Sequence, residues 1–520
     1  MFIDTIDEVH FSVRNALILA LSCIILYTVL LTIYRLHFSP LAHFPGPKIS
    51  AATGWYETYY QIVKDGGGQF TFKIAKWHEQ YGPILRISPH ELHISDPSYI
   101  ETIYSNGKAI DKPDYFSHQF GTPGSIFGTV PHELHKQRKA AIQPLFSTQR
   151  VSEQLPQILD QAAKLSKRVS DEYAGTQQVL NLGDMLSCFA GDVIMKFAFD
   201  REFKYLDSPD FRNPFTASFV GFKAFAHYTI QFPWLPRLLA KLPDAVAVIL
   251  NPDLKPIVEY KHNMTAQINA IKQARDKGEN NPAKGTIFNE VLDSNLPASE
   301  KTTTRLSDEA AGIVGGGIET TKWSATVMCF HIINNPPIHS RLRDELKNAF
   351  PDGFEVHELA QLENLPYLMA CVKEGLRLSY GSMTRSPRIH RNKALLYRSY
   401  TIPPGTLVST DAWHAHHNER VFPDSFEYIP ERWLGNPKGL DGEKKLSTYA
   451  LYFGRGTRMC LGMHLVYAEL AIIIAMLFRS FEFDLFETDR TDVDCHFDQI
   501  APGVKPGSKG VRVLVKSGLP

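Results

Sequence analysis

The first long apolar run in the chain is uninterrupted by charge. Ala16 to Tyr34 reads ALILALSCIILYTVLLTIY, and its nineteen residues, as a helix, extend just short of the ~30 Å of a hydrocarbon core. Arg14 precedes it, Arg35, His37, His43 and Lys48 follow, and Asp4, Asp7 and Glu8 lie on its N-terminal side. The positive-inside rule then leaves the body of the protein in the cytosol and puts residues 1–15 across the membrane. No small-x-small site follows the run, so 16–34 is expected as a retained transmembrane anchor rather than a cleaved signal. FPGPK, Phe44–Lys48, cannot continue a helix, and 35–49 reads as a stiff Pro/Gly hinge.

Beyond residue 50 the periodicity is mainly helical with a minor β part. The pattern predicts a helix over Gln69–Tyr81 stopped by Gly82, then two short strands in PILRIS and ELHIS. Asp96-Pro97 is expected to open a further helix with Asp96 as its cap. Residues 110–130 are rich in Gly, Pro, Ser and Thr and read as a long loop, the kind that often carries function. The aromatic stretch Ser218–Pro236 suits either core or a membrane-touching entrance. One long helix is expected from Ser307, as cap, to Asn335, with Asp308 and Glu309 at its positive end and Pro336-Pro337 beyond it. Further helices fit Leu365–Tyr380 and the apolar stretch after Cys460, with 424–450 irregular between them. No internal repeat or low-complexity tract divides the chain, so 50–520 is expected as one large catalytic domain.

Composition changes this picture little. Of 520 residues, 44% are hydrophobic and 21% charged, which is ordinary for a globular body. The 55 basic and 55 acidic residues cancel, so no global field points to nucleic acid. Six scattered cysteines without C-x-x-C spacing suggest a reducing compartment, where a cysteine is usually a small buried hydrophobe. One of the six, Cys460, sits in an unusual loop.

That loop is FGRGTRMCLG, Phe453–Gly462. Cys460 just precedes an apolar helix, whose N-terminal dipole and free N–H groups favour a thiolate. The loop matches F-x-x-G-x-R-x-C-x-G at each fixed position and so resembles the haem-binding loop of the cytochrome P450 family. Two further motifs are similar to that family. Glu374-Gly-Leu-Arg377 places Glu and Arg on one helix face and is followed by Pro430–Trp433, PERW. Gly312–Ser324, GIVGGGIETTKWS, contains [AG]-G-x-[DE]-T-[TS] at Gly316–Thr321. Three consecutive glycines cost roughly 1 kcal/mol each relative to alanine in a helix interior, which a purely structural helix rarely carries.

The resemblance covers roughly residues 40–515, with GWYETYY and YGPILRISPHELHISDPSYIETIYS most similar to fungal secondary-metabolite members of the trichodiene oxygenase-like group. It implies Cys460 as axial ligand of the iron of haem b. Phe453, Gly456, Arg458 and Gly462 would form the rest of the loop's contact with the cofactor. Gly456 and Gly462 would allow the close approach of a flat macrocycle. Arg458, Arg388, His135 and Lys139 would receive the propionates, with Arg138 and Arg385 as rivals. His135 and Lys139 stand where the family usually has Trp and Arg, and lysine lacks the bidentate geometry. Glu374, Arg377 and Arg432 would lock the segment before the cysteine. Gly316 would leave room for dioxygen, with Glu319 and Thr320 delivering protons. Phe127, Val314, Met383 and Thr384 are the expected substrate contacts.

The function implied is a mono-oxygenase of an apolar small molecule, terpenoid or polyketide, on the endoplasmic reticulum membrane. No flavin or dinucleotide motif is present, so NADPH would act through a separate NADPH–cytochrome reductase, and the enzyme is expected as a monomer. A peroxide-using isomerase or dehydratase of the same fold is disfavoured by Thr320. A non-catalytic haem or lipid-binding membrane protein is disfavoured by the Glu319-Thr320 pair. His416-His417, the sequon Asn263-Met-Thr265 and Gly66-Gly67-Gly68 suggest no further metal, glycan or phosphate site.

Overall fold

The computed structural model describes residues 2–106, 109–239, 241–278 and 286–516. Met1 of the expected N-terminal segment and 517–520 of the expected catalytic domain lie outside the described residues. These residues gather into two compact units, 1–96 with 389–409, and 97–388 with 410–520.

The first unit begins with a helix over Phe2–Ile33 that widens into a π turn at Tyr34–Phe38. Within it Val13–Phe38 has a mean hydropathy of 2.6 and none of it is buried. The helix starts well before the expected Ala16. The expected hinge is a packed strap. Phe44 is buried, Pro45 O accepts from Arg86 N–H at 2.7 Å, and a Cβ on Gly46 would stand 2.7 Å from Arg86 O. Arg86 itself is buried and donates to Arg35 O at 2.7 Å and Pro89 O at 2.9 Å. The helix Phe70–Tyr81 ends at Gly82 as expected. Strands Ile84–Arg86 and Glu91–Ile94 pair antiparallel with Ile84 opposite Ile94, and Glu91–Ile94 runs parallel to Leu407–Ser409. Asp96, expected as a helix cap, accepts from the Tyr397 hydroxyl at 2.9 Å.

The second unit is helical. After Asp96 comes a 3-10 turn, Pro97–Tyr99, and a single helical turn, Ile100–Ile103, rather than a full helix. The long helix, Thr303–Ile333, packs against Leu182–Phe199, Lys255–Asp276, Pro366–Ser379 and Met463–Ser480. Its cap is Thr302, whose side chain accepts from Arg305 N–H, and not Ser307, which lies one turn inside and donates to Thr303 O at 2.8 Å. Asp308 and Glu309 therefore do not serve the helix end. They hold the 110–130 loop, accepting from Gly124 N–H at 2.8 Å and Ile126 N–H at 3.2 Å. That loop is irregular apart from a 3-10 turn at Asp114–His118. Met463–Ser480 is apolar enough to span a membrane but is mostly buried, as core. The aromatic stretch divides: Ala226 and His227 are buried in the helix Pro214–Gln231, whereas Trp234 of the next helix is exposed.

Candidate active site

Cys460 is one of two exposed cysteines, the other lying in the N-terminal apolar helix. Yet the surrounding protein desolvates the Cys460 thiol and pushes its pKa up, against the Gly462 N–H and the Lys139 charge, which act to lower it. Accessible and desolvated together describe a sulfur facing a hollow inside the fold. Two residues after Gly454 the chain must pass Tyr104. Gly456 has φ +72°, and a Cβ there would stand 2.1 Å from Tyr104 O, so only glycine fits. Gly462 has more space around it than Gly456. It is uncrowded, with φ −82°, and serves as the cap of Met463–Ser480. Phe453 closes the loop by accepting the Cys460 N–H at 2.8 Å, and its ring meets Tyr452 and Tyr467 edge-on.

The three consecutive glycines of the long helix, Gly315 to Gly317, face three environments. A Cβ on Gly317 would lie 2.8 Å from Ile194, and one on Gly315 would touch Phe215 at 3.4 Å. A Cβ on Gly316 would meet nothing within 4 Å. Thr320, one turn on, shares that open face and donates its hydroxyl proton to Gly316 O at 2.7 Å. Both residues are exposed on an otherwise largely buried helix, the same signature as Cys460. Thr321 links the two elements, donating to Glu469 of the helix after the cysteine at 3.1 Å. Glu319 is buried and ion-paired with Lys322 at 2.6 Å. Lys223, from Pro214–Gln231, is desolvated beside them, which lowers its pKa.

Near Cys460 the chain gathers basic groups, and the charge of Asp111 acts on one of them, Arg458. Burial, then Arg388 and Arg458, push the Lys112 pKa well down. Burial, then Arg388, bring Arg458 to about 10. Burial, then Arg458, Lys112 and Lys139, bring His135 to about 2, so its ring is neutral. Lys139 donates to Thr457 O at 2.9 Å, Lys112 to Phe127 O at 2.7 Å, and Arg458 to Val130 O at 2.7 Å and to Thr129 O. Arg388 donates to Ser386 Oγ at 2.7 Å and lies over the Tyr104 ring. Among the described residues none of these four cations has a carboxylate within ion-pairing distance, and Arg458 Nε is buried without a partner. Mutually repelling buried cations are costly unless an anion completes them. An accessible thiol, an uncrowded helix face and an incomplete cation cluster are the donor set that an iron porphyrin with two carboxylates fits.

Arg138 is taken by Glu300, at 2.7 Å, and by Thr129. Arg385 is buried. Val314 is packed in the main core, two residues from Gly316 and so on the opposite helix face. Met383 is fully buried, and Thr384 donates to Asp498. Phe127 is half-exposed, with the Lys112 ammonium 4.3 Å over its ring. Lys112 was not anticipated; its signal is that it is the only Lys or Arg between Ala109 and Pro131.

Behind the cysteine loop Glu374 and Arg377 are wholly buried. Glu374 accepts from Arg377 at 2.7 and 2.9 Å, Arg432 at 2.9 Å, Trp433 at 2.8 Å and Ile429 N–H at 3.0 Å. Burial alone would raise its pKa; Arg377, with Arg432 and the Ile429 N–H, outweighs that and holds it low. Arg377 in turn ties down the carbonyls of His416, Ser425 and Glu427.

A family profile described as Cytochrome P450 matches residues 52–507. A cytochrome P450 monooxygenase of Ascocoryne sarcoides is 38% identical over 519 residues, spanning 98% of this chain and 100% of its own. One from Sordaria araneosa is 39% identical, spanning 94% and 96%. A tryptophan 6-hydroxylase of Fusarium equiseti is 38% identical over 96% of each chain. The solved structure of retinoic acid bound cyanobacterial CYP120A1 is similar in fold, with a TM-score of 0.69 over 92% of this chain and 99% of that one, at 17% identity.

Proposed function

The chain belongs to the cytochrome P450 family and is a haem-thiolate mono-oxygenase, and on that premise we propose that it inserts one oxygen atom from O2 into an apolar secondary metabolite, with Cys460 as the iron ligand. Haem b held there supplies the iron and oxygen chemistry. The reading rests on one observation: Cys460 is exposed and desolvated at once.

The chain's own residues divide the work. The Gly462 N–H and the Lys139 charge favour the thiolate form of Cys460. Arg458, Arg388, Lys112 and Lys139 receive the two carboxylates, and His135, kept neutral, offers a hydrogen bond rather than a charge. Gly316 leaves the helix face open. Thr320 holds a proton at its Oγ1 beside that face, and can turn it from Gly316 O toward the hollow. Glu319, adjacent in the chain and with its carboxylate held by Lys322, is the second proton-handling group. Phe127 borders the substrate. Glu374, Arg377 and Arg432 stabilise the segment leading to the cysteine loop.

Electrons reach the site from NADPH through a separate reductase docking on the cytosolic side of the endoplasmic reticulum membrane. Residues 16–34 anchor the chain, 1–15 lie in the lumen, 35–49 connect, and 50–520 form the catalytic part of a monomer. The test is Cys460→Ala. The purified variant should lose the red-shifted Soret band of the reduced CO complex and all substrate-dependent NADPH oxidation with a reductase. A retained band sinks the ligand assignment.

A further inference from the structure

His416 is wholly buried at the end of the short helix Ala412–His416, and nothing in the proposed reaction uses it. Its Nδ1 lies 2.7 Å from Arg377 O, and its Nε2 lies 2.8 Å from Leu451 N. A carbonyl only accepts and an amide N–H only donates. Nδ1 must therefore carry the hydrogen and Nε2 the lone pair, which defines one neutral tautomer. Burial, with Arg377 beside it, brings its pKa to about 3, in agreement with that tautomer. Arg377 returns the contact, donating to His416 O at 3.1 Å. Tyr380 stacks on the ring, and Phe422 and Tyr452 flank it.

Leu451 begins the stretch that becomes the cysteine loop. Its carbonyl accepts from Gly454 N–H at 2.7 Å, and Phe453 O accepts from Cys460 N–H at 2.8 Å. A run of short hydrogen bonds and one tight turn thus joins the Glu374–Arg377 helix, through a single imidazole, to the backbone of Cys460. Gly381, beyond that helix, approaches the same stretch, since a Cβ there would lie 2.3 Å from Tyr452 O.

We propose that His416 is a positioning residue for Cys460, suspending the iron-binding loop from Arg377 through its two ring nitrogens. This rests on Cys460 being the iron ligand. His416→Leu keeps the bulk and removes both hydrogen bonds, leaving the Leu451 N–H and the Arg377 carbonyl unsatisfied. His416→Gln can supply one donor and one acceptor over a similar reach; His416→Asn is too short to span both.

The experiment follows two readouts in the full-length protein. One is the rate at which the reduced CO complex loses its red-shifted Soret band. The other is hydrogen exchange of the Leu451 amide. His416→Leu should lose the band about tenfold faster and expose the amide to exchange, and His416→Gln should restore both to within about twofold. If His416→Leu does not fold, the comparison passes to His416→Gln against His416→Asn, with only the latter accelerated. Wild-type band lifetime and amide protection in His416→Leu, or equal behaviour of the Gln and Asn variants, overturns the proposal. A Cys460→Ser control that keeps the red-shifted band would fail the ligand reading instead, and Leu451 exchange would still report on His416.

Discussion

Thr320 donates its hydroxyl proton to Gly316 O, 2.7 Å away, across one turn of the long helix on the face that a Cβ at Gly316 would leave free. That bond is within the helix and exposed, so little opposes rotation of the hydroxyl toward a bound water. Thr320→Ala should keep the fold and the CO band. It should lower product formation on the order of 100-fold while NADPH is still consumed, and Thr320→Ser should retain most of the coupling. Product and NADPH measured side by side decide it; equal loss in NADPH- and peroxide-driven turnover would count against a proton role.

Glu374 balances two guanidinium groups, the wholly buried Arg377 and the partly buried Arg432. Glu374→Ala leaves Arg377 uncompensated in the interior, a loss of about 3–5 kcal/mol. The variant should fail to retain its cofactor and unfold at lower temperature, read by thermal melting in detergent. A melting curve like wild type would mean the segment is held by its backbone contacts alone.

Lys112 and Arg138 offer a contrast. Lys112 has no carboxylate partner among the described residues and sits beside Arg388 and Arg458, while Arg138 is paired with Glu300. Lys112→Ala should weaken haem retention about 10- to 100-fold, the range of one charge-assisted hydrogen bond. Arg138→Ala should lower the melting temperature more than it lowers haem affinity. Haem transfer to apomyoglobin measures the first, and calorimetry the second.

Glu469 is buried against Thr321, and burial raises its pKa to about 8. A carboxyl raised in the folded state gives its full stability below the unfolded value and loses it as pH rises through the folded one. Stability should therefore fall between about pH 5 and about pH 8.5 by more in wild type than in Glu469→Gln, which keeps a neutral partner for Thr321. Parallel pH–melting profiles for the two would sink this assignment.

What the sequence made legible was local. The cysteine loop, the Glu374–Arg377 turn and the glycine run each lie within a few residues, so spacing alone carries their geometry. The helices were legible from periodicity, but their caps were not. Ser307 and Thr302 offer the same hydroxyl one turn or so apart, and only the packed helix chooses Thr302. Partners distant in sequence were invisible. Arg138 looked free because Glu300 is 162 residues away, and Val314 looked like pocket because its burial depends on neighbours from other helices. Lys112 escapes the sequence for the same reason, and His416, weighed with His417 only as a metal ligand, has its partners Arg377 and Leu451 far along the chain.

The unequal surroundings of Gly315, Gly316 and Gly317 matter for anyone wishing to redirect this enzyme. A library that varies all three would lose many members, because a methyl at 317 collides with Ile194, while one at 315 comes into ordinary contact with Phe215 and leaves no further room. Position 316 alone behaves as a dial. Each atom added there occupies the hollow without moving a wall, so new product patterns should be sought among substitutions at that one codon.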